Sequence, residues 1–292
     1  MPDTSEFDPP FELVEPPDSG GPLLYNSPHS GNVFPSGFLS LAKLALPDLK
    51  RSSDLYMDEM IIGAVSRGIP VMRAHFPRCF VDVNREPYEL DPSMFEGRIP
   101  AFANSRSTRV AAGYGTIARF VGEQQDIYRR KLPVAEGLRR IDQYYLPYHA
   151  SLRRVLSGFH RMHGLAVLID WHSMPSAVFG PHRSVDIVLG DRHGTSCAPQ
   201  LIDFVEATIR SMGLTVQRNQ PYAGGFITEH YGNPHSGLHA LQIEINRALY
   251  MDEQFQERHS GFEAMREAMM ALTEALAGFD GVRPCSLALA AE

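Results

Sequence analysis

The sequence predicts one α/β domain built on a mainly parallel sheet. Short apolar runs alternate with stretches of helical spacing along the 292 residues. One run, Leu165-Ala166-Val167-Leu168-Ile169, follows Gly164 and reads as a buried central strand. No internal repeat, low-complexity tract or linker interrupts the pattern, and 43% hydrophobic residues are enough for a large core.

The elements follow in chain order. Residues 1–20 are rich in proline and acid, so an extended surface arm without regular structure is expected, ahead of one domain over 21–292. Residues 22–26 read as a short strand that runs into Ser27-Pro28-His29-Ser30-Gly31. Proline and glycine around one histidine mark a sharp turn. His29 is there either as a surface turn residue or as a group held rigidly for a site. Residues 53–67 follow helical spacing, Gly68 closes them, and Asp54 stands where an N-cap is expected.

Residues 69–72 form the next expected strand. Arg78 and Arg85 then bracket Phe80, Val81 and Val83, with Asp82 and Asn84 interposed. Such a pair either salt-bridges Asp82 or offers two guanidinium forks to an anion. Residues 97–122 carry many glycines and serines and read as an excursion near a site mouth. Residues 134–162 are helical, and Pro147 starts a new helix or kinks the old one. His149, His160 and His163 read as ordinary helix residues.

The central strand ends in Asp170-Trp171-His172-Ser173. Residues two apart on a strand share a face, so Asp170 and His172 point together at its carboxyl end, where open α/β sheets keep their sites. Residues 185–190, between Arg183 and Asp191, are a further strand, 198–212 a helix and 214–217 a strand. Residues 219–225 are turn formers. In 240–246 apolar and polar residues alternate, which puts Gln242, Glu244 and Asn246 on one face. A carboxylate among aliphatic neighbours is costly unless it is paired or has a task. Residues 260–279 form a closing amphipathic helix.

Bulk properties narrow the function. A net charge of −7 gives no nucleic-acid footprint and no polybasic membrane anchor. No run approaches the roughly 20 apolar residues of a membrane helix. The N-terminal stretch lacks the apolar segment of a signal peptide. Cys79, Cys197 and Cys285 are scattered and odd in number, which argues against a disulfide framework and for a reducing cytoplasm. The oligomeric state is not legible.

His29, His172 with Asp170, and Glu244 all fall at strand ends or in adjoining loops. Two histidines and an oxygen ligand with an open position make a catalytic zinc site, a separate glutamate serves as general base, and arginines balance the oxyanion. His230, His235 and His239 match no single helix face, which favours a loop over the substrate rather than a second metal site. Ser30 and Ser173 flank the histidines, but no nucleophile elbow is present.

From about Pro22 to Asp252 the chain resembles the N-formylglutamate amidohydrolases. The likeness rests on the 27–31 motif, Asp54, Asp82-Val83-Asn84-Arg85, Asp170-Trp171-His172-Ser173, residues 186–191, residues 219–225 and Gln242-Ile243-Glu244-Ile245-Asn246-Arg247, in this order. The Asn-Arg and Asp-x-His elements are more distantly similar to those of aspartoacylases and zinc carboxypeptidases. The resemblance implies a three-layer αβα, zinc-carboxypeptidase-like fold with a central mixed, mainly parallel sheet. It implies one zinc per chain and hydrolysis of the amide of an N-formyl or N-acyl amino acid, N-formyl-L-glutamate first among them. His29 and His172 become zinc ligands. The carboxypeptidase pattern has a glutamate three residues after the first histidine; Asn32 stands there, so Asp54 is expected as the third ligand. Asp170 would orient a ligand histidine. Glu244 would be the general base; Arg78 would stabilise the oxyanion and Asn84 with Arg85 hold a substrate carboxylate, or the two arginines would exchange these roles. Alternatives are a carboxypeptidase-like zinc peptidase on short peptides and a metal- or ligand-binding protein without catalysis.

Overall fold

A computed structural model describes residues 7–18, 20–122, 124–180 and 184–281. The first six residues of the arm, Arg183 and Cys285 lie outside them.

The frame is a mixed sheet whose strands are β1 (Phe11–Val14), β2 (Leu23–Ser27), β3 (Val71–Ala74), β4 (Ala166–Met174), β5 (Ile187–Gly190), β6 (Val216–Arg218) and β7 (Leu238–Asn246). Their spatial order is β1-β3-β2-β4-β7-β5-β6. β2 pairs in parallel with β3 and β4, β4 with β7, and β5 with β6. β1 on β3 and β5 on β7 are antiparallel. The sheet is therefore mixed and mainly parallel, as expected. The arm differs from expectation: Phe11–Val14 is an edge strand, with Phe11 opposite Ala74 and Val14 opposite Val71. Prolines around it are tolerated because an edge strand leaves one row of N–H groups unpaired.

Side-chain parity sorts the sheet into two cores. Leu23, Tyr25, Val167, Ile169, Trp171, Leu241 and Ile243 pack with helices α3 (Pro199–Ser211) and α4 (Gly261–Ala277). Leu24, Met72, Ala166, Leu168 and Ala240 pack on the other face with Tyr145, Tyr148 and Leu152. The latter group lies on or just before α2 (Leu146–His163), whose buried Tyr148, Leu152, Val155, Leu156 and Phe159 form a helical stripe. Gly164, at φ 73°, ends α2 in the left-handed region that glycine enters at low cost.

The helical stretch over 134–162 is not uniform. An α-helical segment, Val134–Arg140, passes through a π-helical Ile141–Tyr145 before α2 begins. Pro147 thus follows just after the π-helical turn, where the helix changes register instead of ending. The wide turn lets Tyr145 and Tyr148 both reach polar partners, the Arg85 carbonyl (2.6 Å) and Asn26 Oδ1 (2.5 Å).

His149 in α2 is buried, with Nδ1 at 2.8 Å from the Tyr231 hydroxyl and Nε2 at 2.8 Å from the Val83 carbonyl. Burial pushes its pKa down to about 4. The folded state therefore binds fewer protons than the unfolded state between about pH 4 and 6.5, so stability falls as pH drops through that window. We expect wild type to lose about 3 kcal/mol there through this residue. Urea unfolding at pH 6.5 and 4.5 should show a smaller loss in His149→Gln; an equal loss would assign the effect elsewhere.

Candidate active site

The site grows out of one core face. Along β2, β4 and β7, Leu24 gives way to Asn26, Leu168 to Asp170 and His172, and Ala240 to Gln242 and Glu244. The register places Asn26 and Gln242 beside Asp170, and Glu244 beside His172. Period-two alternation alone carries the apolar face into a polar one at the carboxyl ends of parallel strands. The prediction that Asp170 and His172 share a face is met: Asp170 Oδ2 lies 2.9 Å from His172 Nε2, and Asp170 Oδ1 accepts from Asn26 Nδ2 at 2.7 Å.

Loops supply the rest. The turn after β2 carries His29, and the Asp54 N–H donates to the His29 carbonyl at 2.9 Å. Gly31 permits this path, since a Cβ there would stand 2.1 Å from the Phe76 carbonyl oxygen. Asp54 is not an N-cap. The helix α1 (Met57–Ile61) starts later, after Tyr56 at φ 66°, and continues as a 3₁₀ segment to Arg67. The Asp54 side chain instead turns inward. Its Oδ1 accepts from Ser173 Oγ and Arg247 Nη2, both at 3.1 Å, and its Oδ2 faces His172 Nδ1 at 3.0 Å and His29 Nδ1 at 3.6 Å.

Both imidazoles are held alike. His29 Nε2 lies 2.8 Å from Asp82 Oδ1, and His172 Nε2 faces Asp170. A carboxylate acceptor keeps the proton on Nε2, so Nδ1 is the nitrogen that faces Asp54 and offers its lone pair when the ring is neutral. His29 Nδ1 is buried with no hydrogen-bond partner among the described residues. Burial works against charging His172, yet Asp170 and Asp54 hold its pKa well above the ordinary histidine range. Against the same burial effect, His172 and His29 hold Asp54 well below the carboxylate range. His29, Asp54 and His172 bring one ligand atom each within 4.8 Å of one another. Two nitrogen lone pairs and a carboxylate oxygen converging in a buried spot fit a divalent cation, and the carboxylates behind both rings are the partners such ligands usually have.

Asp82 ties this centre to the arginines. Its Oδ2 accepts from Arg78 Nη2 at 2.8 Å and lies 3.5 Å from Arg85 Nη2, while its Oδ1 also accepts from the Asn84 N–H at 2.8 Å. Both expected uses of the arginine pair are therefore compatible: each contacts Asp82, and each also lines the cavities. Arg85 donates Nε to the Tyr114 carbonyl and Nη1 to the Asn84 carbonyl. Arg78 also feels Asp54 and Glu244 electrostatically. Asn84 Oδ1 accepts from the Ile227 N–H at 2.8 Å, and a Cβ at Gly225 would strike this amide at 2.4 Å.

Glu244 is buried, and its Oε1 accepts from Gln242 Nε2 at 2.8 Å; Gln242 in turn accepts from the Gly225 N–H. Burial pushes the Glu244 carboxyl up to about 7. Two cavities, about 370 and 250 Å³, share Arg78, Arg85, His172, Tyr222 and Glu244 as common wall. Tyr114, Phe120 and Val121 close the larger one, so the excursion over 97–122 does reach the site. Pro221–Gly225 line the smaller. His230, His235 and His239 line neither: His230 stacks on Phe226, and His239 Nδ1 accepts from the Ala198 N–H.

Sequence reasoning did not assign Asp82 to His29, Gln242 to Glu244 or Arg247 to Asp54. Gln242 was findable, because it shares the parity of Glu244. Arg247 joins Asp54 across 193 residues, and no local pattern announces such a pair.

Comparison with known proteins follows the same lines. The model of the N-formylglutamate amidohydrolase family matches residues 21–251. An N-formylglutamate deformylase of Pseudomonas aeruginosa is 31% identical over 268 residues, 87% of this chain and 92% of that protein. One from Pseudomonas putida is 29% identical over 243 residues, 80% of this chain and 82% of that protein. The crystal structure of N-formylglutamate amidohydrolase from Ralstonia eutropha JMP134 has a TM-score of 0.87 at 38% identity, covering 92% of this chain and 97% of that one. The chain belongs to the N-formylglutamate amidohydrolase family.

Proposed function

We propose that the protein is a zinc-dependent amidohydrolase that cleaves N-formyl-L-glutamate to formate and L-glutamate. The observation that carries the reading is the pair of histidines turned by carboxylates so that both Nδ1 atoms meet Asp54 beside a buried glutamate. His29 Nδ1, Asp54 Oδ2 and His172 Nδ1 would hold the metal, one per chain. When bound, zinc supplies Lewis acidity and brings the pKa of a water molecule toward neutrality.

The chain's own residues do the rest. Glu244, with one oxygen held by Gln242, takes a proton from the attacking water on its other oxygen and returns it to the leaving amine. Arg78, whose charge couples to Asp54 and Glu244, donates to the carbonyl oxygen as negative charge develops. Arg85 grips a substrate carboxylate. Asn84 assists through the Nδ2 hydrogen not turned toward His172 Nε2, which lies 3.3 Å away, because its oxygen is committed to Ile227. Asp170 and Asp82 fix the two rings.

The test is elemental analysis of purified protein with formate release from N-formyl-L-glutamate measured on the same sample. About one zinc per chain is expected from a site of this donor set. Formate and glutamate should appear in equal amounts, and chelation should remove metal and activity together. Bound zinc without formate release would move the substrate to another N-acyl amino acid. Protein that takes up no metal under any loading condition would sink the reading.

A further inference from the structure

The smaller cavity has an unbalanced wall. Arg78, Arg85 and Arg109 line it, against the single carboxylate of Glu244. In the function proposed above Arg78 serves the carbonyl and Arg85 one carboxylate, so Arg109 is left over. Among the described residues its ion-pair partner is Glu89, at a loose 3.9 Å, and Glu89 Oε2 already accepts from the Glu86 N–H at 3.3 Å. The Arg109 side chain is 32% exposed, so its head has room to meet a ligand. Its charge is felt in the site: burial pushes Arg85 down to about 10, and repulsion from Arg78 and Arg109 adds to the effect against the pull of Asp82. Asp82 cannot relieve the excess, because it already serves Arg78, Arg85 and His29. A substrate with one carboxylate neutralises one fork and leaves the other guanidinium facing an uncharged group.

We infer that Arg109 binds the second, side-chain carboxylate of the substrate and makes the site selective for N-acylated dicarboxylic amino acids over neutral analogues of the same shape. The inference rests on the proposed function. An arginine fork suits a carboxylate, and a site built for that hydrogen-bonded pair penalises an isostere that leaves the cation unmatched.

The test compares N-formyl-L-glutamate with N-formyl-L-glutamine, which differs by one amide in place of one carboxylate. Wild type should favour the glutamate by about 100-fold or more in kcat/KM, and Arg109→Gln should bring the two within about fivefold. Arg109→Lys should give an intermediate ratio, since a point charge replaces part of the fork. A ratio near one in wild type overturns the inference, as does a parallel fall of both substrates in Arg109→Gln. If wild type releases formate from neither compound, the activity reading fails, and binding decides the arginine's role. Calorimetry of the holoprotein should then find glutarate about tenfold or more tighter than glutaramate, with the difference lost in Arg109→Gln. Equal binding of the two by wild type overturns the assignment.

Discussion

Glu244→Gln should lower kcat by about 10³-fold while leaving bound metal unchanged, the range expected when a positioned general base is removed. The substitution keeps the shape and one hydrogen-bonding oxygen, so the contact with Gln242 at 2.8 Å can persist. What disappears is the ability to accept a proton. The pH profile carries a second signature. The wild-type carboxyl is pushed up to about 7 by burial. A base works in its ionised form, so kcat/KM falls as pH drops through this pKa. A cation held by the histidines lowers that pKa, which places the acid limb at or below about 7. Glu244→Gln should have low residual activity without this limb. Loss of metal together with activity, or a variant that keeps the limb, would remove Glu244 from the role of base.

Asp82→Asn should damage metal affinity, turnover and stability together. One carboxylate here orients His29, pairs with Arg78 and Arg85, and accepts the Asn84 N–H. Burial alone would raise its pKa, yet Arg78, Arg85 and His29 hold it well below the carboxylate range. The amide cannot neutralise either arginine. Breaking a buried pair by removing one charge costs about 3–5 kcal/mol, because the other is left uncompensated. The amide oxygen can still accept from His29 Nε2, but without the charge that strengthens this bond, and weakening such a partner of a metal ligand costs about 10–100-fold in metal affinity. Chelator competition, kcat/KM at saturating metal and urea unfolding separate the effects. All three should worsen. Unchanged metal affinity would mean that His29 is oriented without Asp82.

The strands were legible because parity is a hard constraint. A polar residue at a core position near a strand end stands out, which is how Asp170, His172 and Glu244 were found. Asp54 was half legible: an aspartate before helical spacing has an ordinary use as a cap, and only the left-handed Tyr56 shows that the helix starts too late for it. His29 was a turn residue with two readings until its ring was seen to meet Asp54 and Asp82. The edge strand Phe11–Val14 was hidden by prolines, and its place is set by pairing with β3 rather than by propensity. The pairing of Asp82 with Arg78 and Arg85 was legible; its pairing with His29, and that of Arg247 with Asp54, was not, because these partners lie on other loops and are brought in by the fold.

The register of β4 against β7 sets Glu244 opposite His172 on neighbouring parallel strands. Strands in a sheet are spaced by their hydrogen bonds at about 4.8 Å, a length that no loop can alter. The sheet thus acts as a ruler: the interval between Glu244 and His172 is inherited from backbone geometry. The walls are inherited from elsewhere, from the turn at Pro221–Gly225 and the excursion that carries Arg109 and Tyr114. Insertions and substitutions in those walls can change which acylated amino acid is accepted while the spacing of the reacting groups stays the same.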